Sequence, residues 1–254
     1  MDKKNLLVLI SLVLVFSLTI PQTNYSNQKK DNRSIEPTNS KTTANVEQVI
    51  NKYLSAIGGK DRVKKLTSKT IKYKVFMVKR GGYAMEKVVK RAGYLKISRP
   101  GASRYTLFEG NQAWRVNGDQ KQEVKGKVAN QFKRMSDIDG PFIDSSSKGI
   151  GIKYLGKEPF EFSQLHHLEV SFKDGTKKHY YFEHDSGLLT IVKEPSFWLI
   201  NNKISEGPTN IYYYYDYREV DGIKFPFLWV QTDKNLEHMH VFIVEKIELD
   251  FHPQ

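Results

Sequence analysis

The chain has 254 residues, with 40 Lys and Arg against 28 Asp and Glu, a net charge of +12 and no cysteine. Once a leader and a polar segment are set aside, the remaining length is enough for one large domain whose hydrophobic core is stable without covalent cross-links. The lack of cysteine excludes disulfide bonds and the acylated cysteine that anchors bacterial lipoproteins.

The N-terminal residues have the pattern of an export signal. Lys3 and Lys4 precede an apolar run over residues 6–20, which is shorter than a typical membrane span. We therefore predict that residues 1–21 are a signal peptide, or an anchor in the inner membrane if they are not cleaved. Residues 22–44 are rich in Asn, Thr, Ser and Lys and are predicted to form a flexible polar tether. The protein is thus expected to be exported and periplasmic.

An amphipathic helix is predicted after the tether. Asn45 is a candidate N-cap with Gln48 three positions later, and Gly58-Gly59 supplies a stop. Between them, apolar residues recur at helical spacing: Val46, Val49, Ile50, Tyr53, Leu54 and Ile57. One face of this helix must therefore be buried. A shorter helical turn is expected between residues 60 and 66.

The rest of the chain, from Thr70 to Phe251, alternates as β-strands do. Ile71 and Tyr73 share one face of a strand, whereas Lys72 and Lys74 share the other. Dipeptides that favour tight turns separate the strands: Gly81-Gly82, Asn117-Gly118, Asp174-Gly175, Ser186-Gly187 and Asp221-Gly222. We predict ten or eleven strands joined mostly by hairpins, forming an antiparallel sheet that is closed or half closed.

Several short segments carry a resemblance that spans residues 45–254. They are Ala56-Ile57-Gly58-Gly59, Phe108-Glu109-Gly110 before Trp114, Asp139-Gly140-Pro141-Phe142-Ile143-Asp144 before Lys148-Gly149, Leu155-Gly156-Lys157-Glu158, Asp174-Gly175 before Tyr181-Phe182, and residues 216–226. In this set and order the chain resembles the LolA-like family, the fold of periplasmic lipoprotein carriers, and more closely its outer-membrane lipoprotein-sorting-like subgroup. Glu109 departs from the pattern, because relatives often carry Asp there.

The resemblance implies a mainly β fold, in which one curved antiparallel sheet forms an open half-barrel covered by helices. It also implies a function, that of a carrier or chaperone whose concave face receives the acyl chains of lipids or lipoproteins. Each buried methylene contributes about 0.8 kcal/mol and needs no directional partner, so an apolar hollow suits this task. Relatives include envelope sensors as well, and a non-transporting sensor or protein-interaction domain is the alternative. A secreted enzyme with a similar hollow is a third class.

Large apolar residues of the predicted strands, helices and loops are the candidates for lining the hollow. They are Tyr73, Val75, Tyr94, Trp114, Phe132, Phe142, Trp198, Tyr213, Tyr215 and Trp229. Aromatic residues on strands are also ordinary core residues, so about half of this set is expected to contact a ligand. The run from Tyr212 to Tyr215 places tyrosines on both faces of one strand.

Polar residues with catalytic or metal-binding chemistry do not form a recognisable motif. His238 and His240 lie two apart on a predicted strand, but no third ligand is near them in sequence. His179, Tyr181 and Glu183 share a strand face without an evident nucleophile and orienting partner. Neither a GxSxG nor an HExxH motif occurs. We therefore expect no catalysis, no metal and no cofactor.

The net charge of +12 bears on the choice of partners. Outside the cytoplasm, a positive surface favours phospholipid headgroups or acidic polymers rather than nucleic acid. A lysine-rich but otherwise ordinary soluble surface explains the same charge. The expected partners are therefore acyl chains of lipids or lipoproteins and an anionic membrane surface, bound by a monomer.

Overall fold

The computed structural model describes residues 39–77, 81–90, 93–99, 101–200, 203–235 and 238–252. The predicted leader and residues 22–38 of the predicted tether lie outside these ranges. Strands make up more than half of the described residues, which confirms the mainly β class. Within the described ranges, no helix is both long and apolar enough to cross a membrane.

Three described helices have the bounds α1 Asn39–Ala56, α2 Lys60–Lys64 and α3 Gly126–Ser136. Helix α1 begins at Asn39 rather than at the predicted cap Asn45, so residues 39–44 are helical although the tether was predicted to include them. No Gly or Pro lies between Pro37 and Gly58 to break the helix earlier. The predicted stop is confirmed, because Gly58 has φ 117° and the Gly59 N–H donates to the Leu54 carbonyl at 2.8 Å.

The strands alternate with short turns along the rest of the described chain. Their bounds are β1 Leu66–Met77, β2 Gly81–Lys90, β3 Tyr94–Ser98, β4 Arg104–Glu109, β5 Gln112–Asn117, β6 Gln120–Val124, β7 Gly151–Phe160, β8 Ser163–Ser171, β9 Lys177–Glu183, β10 Leu189–Glu194, β11 Phe197–Ile200, β12 Lys203–Glu206, β13 Asn210–Val220, β14 Ile223–Thr232 and β15 His240–Phe251.

One antiparallel sheet contains thirteen of these strands, in the order β6-β5-β4-β3-β2-β1-β15-β14-β13-β10-β9-β8-β7, and β11-β12 form a separate hairpin. The two end strands, β6 and β7, do not pair with each other, so the sheet is open rather than a closed barrel. The strand count exceeds the predicted ten or eleven. Strands such as β3 and β6, with five residues each, are too short to show a clear alternation in sequence.

Turns at four of the predicted dipeptides join adjacent strands as expected, and one of them is Ser186-Gly187 between β9 and β10. Gly118 in the β5-β6 turn has φ 58° and Gly175 in the β8-β9 turn has φ 77°. Asp221 and Gly222 both have positive φ in the β13-β14 turn, which matches a tight hairpin. Gly81 instead starts strand β2, where it pairs with Met77.

Helices α1 and α3 pack on one face of the sheet, here called the inner face. Leu54 of α1 and Val128 of α3 belong to one buried cluster with sheet residues such as Leu95 and Phe108. A second cluster joins Val49 of α1 to strands β8, β9 and β10. The opposite face, here called the outer face, carries a small separate cluster around Leu165, Tyr181 and Ile191.

The C-terminal end of α1 is fixed against the β13-β14 turn. A Cβ atom added to Gly58 would lie 2.1 Å from the Gly222 carbonyl oxygen, so the two backbones approach closely. The Lys224 N–H donates to the Ile57 carbonyl at 2.9 Å, and Arg62 Nε donates to the Asp221 carbonyl at 2.6 Å. These contacts determine where the helix crosses the inner face.

Candidate functional site

An aromatic strip crosses the middle of the inner face. It consists of Tyr73, Phe227, Trp229 and Phe242, on strands β1, β14 and β15. The Trp229 and Phe242 rings stack with centroids 5.0 Å apart and an interplanar angle of 12°. Tyr73 meets both rings edge-on, at 5.4 Å from Trp229 and 5.8 Å from Phe242. The strip is therefore one continuous apolar surface.

The aromatic strip belongs to the inner face for two reasons. Trp229 pairs in register with Tyr214, which packs in the cluster that contains α1. Phe225 and Leu249 contact both the strip's cluster and the cluster under α3. Every described member of the strip's own cluster is a strand residue, whereas both flanking clusters include helix residues. Tyr73 is buried, but Phe227, Trp229 and Phe242 are only half-buried.

A cavity of about 560 Å³ lies beside α3, here called the basic cavity. Its lining combines apolar and cationic side chains: Gly93, Phe108, Asn111, Asn130, Lys133, Arg134, Ser136, Asp137, Pro141, Lys148, Ile150, Phe172, Lys173, Asp174, Lys178 and Tyr180. Sites for small ligands commonly have volumes of about 300 to 1,000 Å³. The cavity is thus large enough for part of a lipid.

The basic cavity exists because the sheet curves. Phe108 on β4 and Tyr180 on β9 both line it, although β3, β2, β1, β15, β14, β13 and β10 lie between β4 and β9 in the sheet. A flat sheet would hold β4 and β9 far apart, since neighbouring strands are spaced by about 4.8 Å. Helix α3 and the loop over residues 137–150 bridge the two arms of the sheet at this end.

Ion pairs neutralise some of the cations that line the cavity. Arg134 Nη1 lies 2.7 Å from Asp174 Oδ2, and Lys148 Nζ lies 2.7 Å from Asp137 Oδ2. Lys178 pairs with Glu194. Burial by itself raises the pKa of Asp174. Hydrogen bonds from Arg134 and Thr176 outweigh this effect and lower the pKa to about 2. Asp174 is therefore ionised at neutral pH.

Phe172 forms part of the cavity wall beneath two of these cations. The Arg134 guanidinium lies 5.0 Å from its ring centroid and the Lys178 ammonium lies 5.9 Å from it. Tyr180, also in the wall, is buried and belongs to the same cluster as Tyr214. Tyr214 is the register partner of Trp229, so Tyr180 in the cavity wall and Trp229 in the aromatic strip lie on the same face of the sheet, with β10 and β13 between their strands.

Phe142 fills part of the space between α1 and the sheet. Its ring centroid lies 5.7 Å from Tyr53 of α1, 5.0 Å from Tyr180 and 5.3 Å from Phe182. Burial raises the pKa of Tyr53 to about 12. The loop that carries Phe142 is held by Lys148, whose Nζ donates to Asp137 and to the Gly140 carbonyl. The inner face is therefore packed at this point.

The structure distributes the predicted cavity residues over both faces of the sheet. Tyr73, Val75 and Trp229 lie on the inner face, and Phe132 and Phe142 pack against it from α3 and the 137–150 loop. The residues on the outer face are Tyr94, Trp114, Tyr213 and Tyr215, each next to an inner-face residue of its own strand. The side chain of Trp198 is outside the described part of the structure.

Trp114 illustrates the outer-face environment. Its strand neighbour Ala113 is 1% exposed and pairs with Phe108 in the inner core, so Trp114 points the other way. There the Lys121 ammonium lies 4.2 Å from the Trp114 ring centroid. Sequence alternation alone assigns Trp114 and Ala113 to opposite faces, but it does not say which face is inner.

The cationic residues of the inner side were not among the sequence candidates. Lys69 lies on β1 in phase with Ile71 and Tyr73, so its side chain shares their inner face, and its Nζ lies 5.3 Å from the Phe225 ring centroid. Burial lowers the pKa of Lys69, and the carboxylates of Asp137 and Asp139 partly offset this effect. A lysine in phase with an apolar strand face was the signal available in sequence. The cavity cations gave no comparable signal.

Histidines form two close pairs on strands β8 and β9 and in the turn that follows β9. His166 Nε2 lies 2.8 Å from His184 Nδ1, and His167 Nε2 lies 2.8 Å from His179 Nδ1. Burial lowers the pKa of His166, His167 and His179, so these rings are predominantly neutral at pH 7. Among the described residues, no cluster of three or more His, Asp or Glu could hold a metal ion.

Comparisons with known proteins show which solved structures share this fold. No family model matches the sequence, and no curated protein matches it either. Solved structures do match in fold. A LolA superfamily protein from Nitrosomonas europaea aligns with a TM-score of 0.54 and 12% identity, over 82% of this chain and 94% of the other. A protein of the DUF1329 family from Desulfovibrio piger aligns with a TM-score of 0.55 and 11% identity, over 82% and 95%.

A third solved structure is similar to the same extent. The domain of an outer membrane lipoprotein-sorting protein from Vibrio parahaemolyticus aligns with a TM-score of 0.53 and 9% identity, over 85% of this chain and 94% of the other. The chain therefore has a LolA-like fold, an open half-barrel covered by helices, as the ordered sequence segments predicted. At these identities the likeness concerns the fold alone.

Proposed function

We propose that the protein is an extracytoplasmic carrier that binds acyl chains on its inner face. The observation that carries this proposal is the half-buried aromatic strip around Trp229 and Phe242, on the same face of the sheet as residues that line a cavity of about 560 Å³. Apolar surface of this kind binds hydrocarbon without directional contacts, and each buried methylene contributes about 0.8 kcal/mol. An eight-carbon contact would thus supply about 6 kcal/mol before the cost of ordering the chain.

The fold and the predicted leader support the location and the class of ligand. One protein of similar fold is named as an outer membrane lipoprotein-sorting protein. Lys3, Lys4 and the following apolar run favour export. A carrier also needs a site that ligand can enter, and the half-buried rings of the strip leave room for exchange.

The decisive experiment compares two tryptophans that differ in the face they occupy. Trp229→Glu places a charge in the aromatic strip, whereas Trp114→Glu places the same charge on the outer face. A fluorescent fatty acid is titrated into each purified variant and into the wild type. We expect Trp229→Glu to weaken binding by at least about tenfold, because burying an unpaired carboxylate in the bound state is costly, and Trp114→Glu to bind as the wild type does.

Urea unfolding of both variants separates binding from folding. If Trp229→Glu stays folded and binds the fatty acid as tightly as the wild type, the strip is not the binding surface. If neither variant nor the wild type binds any acyl ligand, the carrier proposal fails. Binding of an envelope protein by a lipid-free domain would then favour the interaction or sensor role.

A further inference from the structure

We infer that the basic cavity recognises an acidic headgroup, so that the preferred ligand is a single- or multi-chain lipid bearing a phosphate monoester or carboxylate. This inference rests on the proposed function for the acyl part of the ligand. It adds the class of headgroup and the residues that select it. Two lysines of the cavity wall have no ion-pair partner among the described residues.

The cavity is lined by more cations than carboxylates. Arg134, Lys148 and Lys178 each pair with a carboxylate of the protein. Lys133 and Lys173 line the same cavity, are exposed, and make no ion pair with any described residue. Two positive charges thus remain at the cavity rim, where they raise the local concentration of anions and attract an anionic group into the cavity.

The stem of Lys173 lies against the backbone at Gly149, although the residue as a whole is exposed. Gly149 has φ 66°, and a Cβ atom added there would lie 1.9 Å from Cε of Lys173. The lysine stem therefore packs directly on the Gly149 backbone, at a left-handed position that favours glycine. This packing reduces the side-chain entropy that Lys173 would lose on binding an anion.

Arg134 adds a guanidinium group to the same wall. Its Nη1 is engaged by Asp174 at 2.7 Å, but its buried Nε has no hydrogen-bond partner in the described structure. Arginine is the side chain best suited to phosphate and carboxylate groups.

The apolar part of the wall indicates a lipid rather than a free anion. Phe108, Ile150, Phe172 and Tyr180 line the cavity together with the cations. A site for inorganic phosphate needs donors on several sides and gains nothing from aromatic rings. An amphiphile satisfies both halves of the wall, because its headgroup meets the lysines while its first methylenes meet the rings.

The test compares lysolipids that share one acyl chain and differ in headgroup. Lysophosphatidic acid, lysophosphatidylcholine and inorganic phosphate are each titrated by calorimetry into the wild type, into K133Q/K173Q and into K153Q/K224Q. The last variant is a matched control, because Lys153 and Lys224 are exposed and lie outside the cavity. It removes two positive charges, as K133Q/K173Q does. Circular dichroism verifies the folding of each variant.

We expect wild type and K153Q/K224Q to bind lysophosphatidic acid about tenfold more tightly than lysophosphatidylcholine. K133Q/K173Q should lose that preference and bind both equally, and rising salt should weaken only the acidic lipid. Equal binding of both lipids by the wild type overturns the headgroup inference and leaves the acyl proposal standing. Binding of neither lipid overturns both. Binding of phosphate as tight as that of lysophosphatidic acid overturns the assignment to a lipid.

Discussion

Replacing Phe142 by alanine tests whether the inner face is packed solid beneath α1. Phe142 is 7% exposed, and its ring meets Tyr53, Tyr180 and Phe182 at centroid distances of 5.7, 5.0 and 5.3 Å. Truncating a buried phenylalanine costs about 3 to 5 kcal/mol. Its aromatic contacts place Phe142 towards the upper end, since each such pair contributes about 0.5 to 1.5 kcal/mol beyond burial.

Urea and thermal unfolding, followed by circular dichroism, measure the loss. A cost of about 3 to 5 kcal/mol corresponds to a melting temperature lower by about 6 to 20 °C for a domain of this size. The matched control is Phe162→Ala, because Phe162 is 100% exposed and should change stability by less than about 0.5 kcal/mol. If Phe142→Ala unfolds within 1 kcal/mol of the wild type, Phe142 does not hold α1 on the sheet, and the account of the packed region is wrong.

Two further predictions concern the α1 anchor and the histidine pairs. Gly58→Ala should cost about 2 kcal/mol or more of folding stability, because it adds a clash with the Gly222 carbonyl to the strain at φ 117°. The control Gly110→Ala, at φ 58° with no atom within 4 Å of the new Cβ, should cost only about 1 kcal/mol. Equal losses in urea unfolding would refute the close approach of Gly58 to Gly222. Because the pKa values of His166 and His167 are lowered in the folded state, the unfolded chain binds protons first as pH falls. The stability from these histidines is therefore present above pH 6.5 and is lost below it. The urea concentration at the unfolding midpoint should decrease as the pH is lowered from 7.5 to 5, and H166Q/H167Q should reduce this pH dependence. A wild-type midpoint that does not change over this range would contradict the lowered pKa values of the two histidines.

Local sequence signals predicted the hairpins and the end of helix α1 correctly. Asn117-Gly118 and Asp174-Gly175 sit between strands because glycine adopts positive φ at little cost, which is a property of the dipeptide itself. Gly58 ends α1 for the same reason. The predicted start of α1 at Asn45 was wrong. Asn caps a helix only where the backbone leaves the helical conformation, and here the helix extends back to Asn39.

The site was less predictable than the fold, because it depends on tertiary structure. Alternation separates Trp114 from Ala113 and Tyr213 from Tyr214, yet either face could be the inner one until α1 and α3 are placed. The basic cavity is beyond sequence reasoning altogether. Lys133 and Lys173 belong to a helix and a hairpin far apart in the chain, and only the curvature of the sheet brings both to one cavity.

Native mass spectrometry of the freshly purified protein tests the acyl-carrier proposal most directly. We expect a population heavier than the polypeptide by the mass of one lipid, which collisional activation removes and which organic extraction identifies as acyl-chain material. The same protein, once stripped of lipid, should take up a fluorescent fatty acid. A bare polypeptide mass, together with no uptake of the fatty acid by the stripped protein, would contradict the proposal that the inner face carries acyl chains.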